Sequence, residues 1–177
     1  MERELADNLD ALHADAFGWA LHCCGGDHHR AEEVLQNAYL KLARGSLQRQ
    51  GGSSFKTWWF GIIRLTAREE ARRQWYRESL LSKLWRQGQS ETRVTPPSPS
   101  RQVEQDEQTL QLRQALGMLP ARQAEALHLV FYQDLSLSEA AAVMQVSLGS
   151  VRQHYERGKA RLRTLLSPSS PTHDHGP

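Results

Sequence analysis

Long apolar runs and a cysteine framework are both missing from this chain of 177 residues. No stretch approaches the roughly 18 apolar residues that suggest a transmembrane helix, and the N-terminus is too acidic for a signal peptide. The two cysteines, Cys23 and Cys24, are adjacent and define no disulfide framework. We therefore expect a cytoplasmic protein without membrane insertion.

Motifs of common catalytic sites are also absent. The sequence has no phosphate-binding glycine loop, no nucleophile elbow and no HExxH motif, so we expect no catalytic residue, no metal and no cofactor. One group of residues invites a metal or redox interpretation: His22, Cys23, Cys24, His28 and His29. Their spacing matches no structural zinc pattern, and Cys23 continues an apolar stripe, which favours a core thiol. Metal or redox sensing remains an alternative.

Charge is segregated along the chain although the formal net charge is only +2. The charged residues among the first 33 are mostly acidic, and those among residues 56–86 are mostly basic. A second basic run extends from Arg152 to Arg163. Such segregation indicates anion-binding surfaces, with nucleic acid as the leading candidate ligand. Solvated helix faces would give the same pattern, so charge alone does not decide whether the chain binds nucleic acid.

Helical periodicity dominates, and no strand pattern appears. Apolar residues between positions 5 and 23 recur at alternating steps of four and three, which predicts one amphipathic helix ending before Gly25. Further helices are predicted at about 30–44 and 55–82, with Ser54 as the N-cap of the longer one. The sequence therefore predicts an all-α fold.

A change in composition divides the chain. Residues 87–105 lose helical periodicity and contain three prolines between Thr95 and Ser100, which favours an extended connector. We predict two small helical domains, 1–86 and 106–167, joined by this flexible Pro/Ser-rich linker. Residues 168–177 are predicted to be a disordered tail.

The second domain is predicted to contain four helices, at about 106–117, 120–133, 136–144 and 148–166. The last two have the features of a helix-turn-helix, because Ser136 precedes a glutamate in the first turn of one and Ser147 caps the other. Val151 and Tyr155, four residues apart, would anchor the second helix to the core. A plain helical hairpin is the alternative interpretation.

The exposed side of that second helix carries the residue types that contact DNA. Base edges are read by the N-terminal half of such a helix, and phosphates by flanking hydroxyls and cations. The predicted contacts are Ser147, Gly149, Ser150, Arg152, Gln153, His154, Glu156, Arg157 and Lys159. One residue departs from the usual pattern: many such turns have glycine where Gln145 stands, because the position adopts a positive φ, and glutamine there costs about 1 kcal/mol.

The order of motifs resembles that of bacterial RNA polymerase sigma factors. Asp27–Leu42 (DHHRAEEVLQNAYLKL) resembles their polymerase-binding helix, and Phe55–Arg64 (FKTWWFGIIR) resembles the start of their promoter-melting helix. Residues 116–165, with LPARQ, LSEAA and SLGSVR, resemble their C-terminal domain. The two-domain layout at this length is similar to the extracytoplasmic-function (ECF) class of the sigma-70 family.

This resemblance implies a dissociable initiation subunit that binds core RNA polymerase, directs it to specific promoters and assists their melting. The sigma2-like first domain would bind core polymerase and the minus-ten element, and the sigma4-like second domain would bind the minus-35 element. The implied partners are the clamp coiled coil and the flap of the polymerase, promoter DNA in double-stranded and melted form, and an anti-sigma protein. The chemistry would belong to the polymerase, so the chain itself is not expected to be an enzyme.

The resemblance also assigns roles to residues of the first domain. Core polymerase would contact Glu33, Gln36, Asn37, Leu40 and Lys41. The minus-ten element would be held by a loop and the helix after it: Gln48, Arg49, Ser53, Lys56, Trp58, Arg64, Arg68, Arg72 and Arg73. In that loop, glycines let the backbone approach a flipped base, and Arg49 or Gln48 can hydrogen-bond its edge. An ordinary flexible connector is the alternative for these loop residues.

Along the helix, cations would follow phosphates while exposed aromatic rings stack on unpaired bases. We expect Trp59 in the core, and Trp58, Trp75 and Tyr76 to be the better candidates for exposure. A stand-alone helix-turn-helix regulator, whose first helices sense a ligand or dimerise, is the alternative function.

Overall fold

A computed structural model describes residues 2–45, 47, 52–85 and 107–167. The predicted linker and tail, and the loop residues Gln48 and Arg49, lie outside this part of the chain. The described residues form eight α-helices and one π-helical turn, without a strand, which confirms the all-α fold. The helices are α1 (Glu2–Ala11), α2 (His13–Cys23), α3 (His28–Ala43), α4 (Phe55–Trp85), α5 (Glu107–Gly117), α6 (Ala121–Leu127), α7 (Leu137–Met144) and α8 (Leu148–Leu166), and the π turn is His128–Tyr132.

The first predicted helix is divided in two. Leu12 has φ −98° and ψ 1°, which interrupts the helix between α1 and α2. The buried positions Ala16, Trp19 and Ala20 all belong to α2, so only this second segment is held tightly by the core. After the glycine turn, α3 begins at His28, because the Asp27 carboxylate accepts a hydrogen bond from the Arg30 backbone N–H at 3.1 Å.

The core of the first domain lies between α2, α3 and α4. Ser54 caps α4 as predicted, since its hydroxyl accepts a hydrogen bond from the Thr57 N–H at 3.1 Å. Trp59 is fully buried, which confirms its predicted place in the core. The Trp19 indole N–H donates to the Phe60 carbonyl at 3.0 Å and thereby ties α2 to α4.

The predicted helix 120–133 changes its winding halfway. It follows Pro120 as α6, and from His128 to Tyr132 it widens into the π turn. A π turn inserts one residue relative to α-helical register and is frequent at functional sites. Leu129 is buried in the core, whereas His128 lies against the first domain, where Trp19 is 5.4 Å away between ring centroids.

The two predicted domains are packed against each other rather than separated. Helix α4 packs against α7, and the buried residues of both domains form one continuous hydrophobic core. Between the domains, the Arg64 guanidinium of α4 is bound to the Glu125 carboxylate of α6. The expectation of two bodies on a tether overlooked this contact, because it joins residues 61 positions apart.

The helix-turn-helix has the predicted local structure. Ser136 and Glu139 form a reciprocal capping box, and the Ser147 hydroxyl accepts the Ser150 N–H at 3.2 Å. Gln145 adopts the left-handed conformation, with φ 55° and ψ 48°. Val151 is fully buried and anchors α8. Each of these features is local in sequence.

Helix α8 approaches α6 closely at Gly158. A Cβ atom placed on this glycine would lie 3.0 Å from Leu127 Cδ1 and 3.3 Å from Gln123 Cβ. A larger residue would overpack the contact. The glycine thus fixes the distance between the helix that follows Pro120 and the helix that is expected to read DNA.

The turn residue Gln145 provides a test of the fold. We expect Gln145→Gly to raise the free energy of unfolding by up to about 1 kcal/mol, because the left-handed backbone strains a residue that has a Cβ. Ala142→Gly, at an exposed position inside α7, is the matched control and should lower it by about 1 kcal/mol. Urea unfolding followed by circular dichroism measures both. Equal destabilisation by the two glycines would contradict the strain.

Candidate nucleic-acid interface

The outer face of α8 carries the predicted base-reading residues. Arg152, Gln153, Glu156 and Arg157 are exposed, and their spacing places them on one side of the helix. The preceding Ser147 and Gly149 are exposed as well. The opposite side is held by Val151 and by Tyr155, whose ring lies 5.7 Å from that of Phe131. The structure therefore brings these predicted residues together on a surface that is open to solvent.

Three of the residues on α8 that are predicted to contact DNA have partners within the chain or are half-buried. The Lys159 ammonium lies 2.9 Å from the Glu156 carboxylate and 4.5 Å from the centroid of the Tyr155 ring. His154 is half-buried, and the Ser150 hydroxyl is 2.8 Å from that of Ser147. A phosphate would have to displace Glu156 from Lys159, whereas Arg152 needs no such exchange.

The predicted minus-ten residues of α4 divide into two groups. Arg68, Arg72 and Arg73 are exposed in the middle of the helix, although Arg73 also pairs with Glu70 at 3.0 Å. Near the start of the helix, Lys56 is half-buried and bound to Asp15 at 2.9 Å. Ser53 is half-buried too, in the short described part of the loop.

Arg64 is where the structure departs most from the expected phosphate contact. Its side chain is 4% exposed and is bound to Glu125, which Arg122 also contacts at 3.0 Å. The sequence pattern groups Arg64 with Arg68 because both are basic and four residues apart, but the packing of α6 covers only Arg64. In this arrangement of the domains Arg64 cannot reach a phosphate.

The aromatic residues of α4 follow the same division. Trp58 is half-buried, with its ring 5.5 Å from that of Phe55, so its expected exposure is only partial. Trp75 and Tyr76 are 62% and 55% exposed, as expected, and form an edge-to-face pair with centroids 5.1 Å apart. Two exposed rings beside Arg72 and Arg73 suit the stacking of unpaired bases.

The predicted polymerase contacts lie on α3. Glu33, Gln36 and Leu40 are exposed at steps of three and four, so they share one face, and Leu40 is a 50% exposed apolar residue. The other two are engaged within the chain. Asn37 donates to the Glu70 carboxylate at 3.3 Å, and Lys41 is bound to Glu69 at 2.7 Å. These two side chains position α3 on α4.

Several contacts between the domains were not found from the sequence. Glu139, predicted only as a capping residue, also accepts hydrogen bonds from Thr57 at 3.2 Å and Ser54 at 3.3 Å across the interface. Its bonds to Ser136, and then those to Thr57 and Ser54, lower the pKa of its carboxyl group. His22 and His128 stack across the same interface. No local signal predicts such partners, since each polar residue also fits a solvated helix.

An apolar groove on the second domain was also missed. It has a volume of about 300 Å³, and Phe131 and Tyr132 at its rim are each 59% exposed. The groove is lined by Leu112, Leu116, Leu127, Phe131, Tyr132 and Leu162. Exposed apolar patches mark contact sites for proteins, membranes or ligands. The spacing of Leu112, Leu116 and Leu162 on two predicted helices was the only available signal.

The two cysteines show no sign of reactivity. Burial raises the pKa of both thiols, and the Glu125 carboxylate raises that of Cys23 further. Reactive thiols have lowered pKa values, so both groups stay protonated at neutral pH. Within the described part of the chain, no three His, Cys, Asp or Glu side chains are grouped as metal ligands. Among the described helices, none has the length and apolar content for a membrane crossing.

Comparison with known proteins identifies both halves of the chain. Residues 9–77 match the family model for Sigma-70 region 2, and residues 109–162 match that for Sigma-70, region 4. The chain is 26% identical over 164 residues to the ECF RNA polymerase sigma factor SigE of Mycolicibacterium smegmatis. It is 27% identical over 141 residues to the ECF RNA polymerase sigma factor EcfG of Rhodopseudomonas palustris. These alignments cover 93% and 80% of this chain, and 62% and 74% of the respective relatives.

Solved structures with the same fold come from complexes. One is the sigma factor RpoE in complex with the anti-sigma factor NepR from Bartonella quintana, with a TM-score of 0.65, 22% identity and coverage of 95% of this chain and 99% of that one. Another is CnrH with the cytosolic domain of CnrY, with a TM-score of 0.60, 20% identity and coverage of 96% and 92%. Both Sigma-70 regions match in their order, and the relatives that match over most of the chain are ECF sigma factors. The chain therefore belongs to the sigma-70 family of transcription initiation factors, in its extracytoplasmic-function class.

Proposed function

We propose that this chain is the initiation subunit that binds core RNA polymerase, directs it to specific promoters and assists their melting. The observation that carries the proposal is the pair of exposed surfaces on one chain: the base-reading face of α8 and the basic, aromatic stretch of α4. A stand-alone regulator would need only the first. We assign no catalytic step to the chain, because polymerisation belongs to its partner, and we infer that it acts in the cytoplasm, where that partner works.

The two surfaces would divide the promoter between them. Arg152 and Gln153 are suited to guanine and adenine edges in the major groove of the minus-35 element. Arg68, Arg72 and Arg73, with Trp75 and Tyr76, are suited to the phosphates and unpaired bases of the melted minus-ten element. Domains 1–86 and 106–167 would thus contact separate parts of one site, with Gln48 and Arg49 reading a flipped base.

Reaching both elements requires the domains to separate. Elements 25 base pairs apart lie roughly 85 Å from each other at about 3.4 Å per base pair. A compact chain of this length is only roughly 40 Å across. Residues 87–105, acting as the linker, would extend to at most roughly 65 Å. We therefore infer that the packed arrangement opens when the chain works on a promoter.

Contacts with core polymerase would involve both domains. The face of α3 formed by Glu33, Gln36 and Leu40 suits the clamp coiled coil, with Asn37 and Lys41 at its edge. The apolar groove beside Phe131 and Tyr132 suits an apolar segment of the flap. An anti-sigma protein is a further partner that we propose by likeness to the RpoE and CnrH complexes.

Binding to core polymerase tests the proposal directly. We expect the chain to co-purify with core polymerase and to support transcription from a matching promoter with purified components. Leu40→Ser should weaken core binding by about tenfold, because it removes an exposed apolar anchor from α3. Leu65→Ser, at a 38% exposed leucine of α4, is the control and should bind normally. Failure of the chain to bind core polymerase would refute the proposal.

The role of Arg152 can be tested by its sequence preference. Arg152→Ala should lower affinity for the preferred minus-35 sequence by about tenfold or more and relax the choice at one base pair, because a bidentate base contact is lost. Arg161→Ala, on the exposed part of the same helix, should weaken all sequences alike. Electrophoretic mobility shifts on a set of single-base variants measure both. Equal losses on every sequence would reassign Arg152 to phosphate contact.

The loop residues can be separated from core binding. Replacing Gln48 and Arg49 together with alanine should change the preference among minus-ten sequences while leaving core binding intact. Arg44→Ala, at the exposed end of α3, serves as the control. Transcription from minus-ten variants and core co-purification are the two measurements. Loss of core binding would refute the proposed division of roles.

A further inference from the structure

Two histidines that belong to no predicted site lie at the centre of the contact between the domains. His22, near the end of α2, and His128, at the start of the π turn, stack with their ring centroids 4.4 Å apart and their planes at 26°. The Trp19 ring lies 5.4 Å from each of them, and Tyr132 stacks on His128 at 5.4 Å. The first domain is therefore joined to the second through a continuous aromatic stack.

The hydrogen bonding of His128 fits its neutral form. The Gln133 side-chain amide nitrogen lies 3.5 Å from the Asp15 carbonyl oxygen and 3.3 Å from His128 Nε2. The Asp15 carbonyl can only accept, so the nitrogen of the amide faces it and donates. His128 Nε2 then accepts a hydrogen bond from this amide, and a ring nitrogen can accept one only when it carries no proton. Protonation of His128 Nε2 would place its N–H group against an N–H group of the Gln133 amide.

The charged groups around the stack include one carboxylate, which faces His22. The titratable and charged groups that face it from the packed elements are Cys23 of α2, Arg64 and Arg68 of α4, Arg122 and Glu125 of α6, and Tyr132 of the π turn. Among these described groups the only carboxylate is Glu125, and it is already bound by Arg64 and Arg122. A protonated His22 would thus have to share Glu125 with Arg64 and Arg122, and no carboxylate among these groups faces His128.

Solvent reaches the stack from two sides. One crevice of about 280 Å³ places His22 beside Cys23 and Glu125. Another of about 340 Å³ places His22 and His128 beside Tyr132. Protons can therefore enter from water without prior unfolding of either domain.

We propose that the His22–His128 stack is a proton-sensitive latch that holds the two domains together while both rings are neutral and releases them on acidification. Its consequence for promoter binding rests on the proposed function, in which the domains separate to reach two DNA elements. The ligand of this site is the proton, and the signal it would carry is a fall in pH.

The direction of the effect follows from the two states. Burial lowers the pKa of both imidazoles in the packed arrangement, that of His128 to about 3 with His22 contributing, while Glu125 opposes the shift at His22. In the open arrangement the rings are hydrated, and their pKa returns to about 6.5. The packed state therefore binds fewer protons: its stability is complete above pH 6.5 and falls as the pH drops below that value.

The same pKa values set the expected change in the ratio of open to packed molecules. Between pH 7.5 and 6.0, the ratio of open to packed molecules should rise about fourfold through His128 alone, and about fourteenfold if His22 contributes in full. Single-molecule energy transfer on the full chain measures this ratio. Dyes attached through non-canonical residues at the exposed positions Glu78 and Arg161 leave Cys23 and Cys24 untouched.

The variants remove titration but keep the stack. In the chain with His22→Phe and His128→Phe, the ratio should change less than twofold over the same pH range. His29→Phe, at a histidine whose side chain is 81% exposed, is the matched control and should keep the full dependence. A ratio in the original chain that does not rise on acidification overturns the proposal, and so does a pH dependence that survives the double substitution.

A measurement without substitution guards against variants that fold poorly. In nuclear magnetic resonance spectra of the original chain, the His128 ring protons should titrate far below pH 6.5 while the domains stay packed. Titration near pH 6.5 in the packed state would overturn the latch. Neither experiment contains polymerase or DNA, so failure here leaves the proposed initiation function untouched, and failure of core binding leaves this result standing.

Discussion

The buried pair between Arg64 and Glu125 is the contact on which the arrangement of the two domains depends. A guanidinium group stays protonated in proteins, so the burial of Arg64 is costly unless a negative charge accompanies it. That carboxylate belongs to α6, and Arg122 orients it. Removing one partner of such a pair costs about 3–5 kcal/mol, because a buried charge is left uncompensated. Separating the domains hydrates both groups instead, so the pair specifies one packed arrangement without making it permanent.

The packing affects the two expected DNA surfaces unequally. The face of α8 around Arg152 stays open, because α8 is held by α6 and α7 from its other side. On α4 the start of the helix is covered, since Thr57 and Ser54 bind Glu139 of α7. Of the predicted minus-ten contacts on α4, Arg68, Arg72 and Arg73 remain exposed. The packed chain therefore presents the centre of the proposed minus-35 surface, around Arg152, and only part of the proposed minus-ten surface.

How far the sequence predicts this molecule depends on the distance between interacting residues. Ser136, Ser147 and Gln145 were predicted correctly, since a cap or a left-handed turn is decided within four residues. The break at Leu12 and the π turn at His128 were not, because the apolar pattern of the sequence continues through both positions.

The prediction of the functional residues was also limited by contacts between residues far apart in the sequence. The basic residues of α4 could be found by their charge, but the sequence could not distinguish Arg64, which α6 covers, from Arg68, which remains exposed. Likewise, the polymerase face of α3 was predicted as five residues, of which Asn37 and Lys41 turn out to bind α4. Charge and spacing identify a surface, whereas burial decides which members of it are available.

By itself, the sequence determined the all-α fold, the capped turn of the helix-turn-helix, the segregation of charge and the family, because each of these depends on neighbouring residues or on motif order. Only the tertiary structure decided that α4 rests on α7, that Arg64 is committed to Glu125 and that His22 meets His128. The physical reason is that the packing of the helices decides which side chains meet in the core. Helices far apart in the chain share no local sequence pattern from which their contact could be predicted.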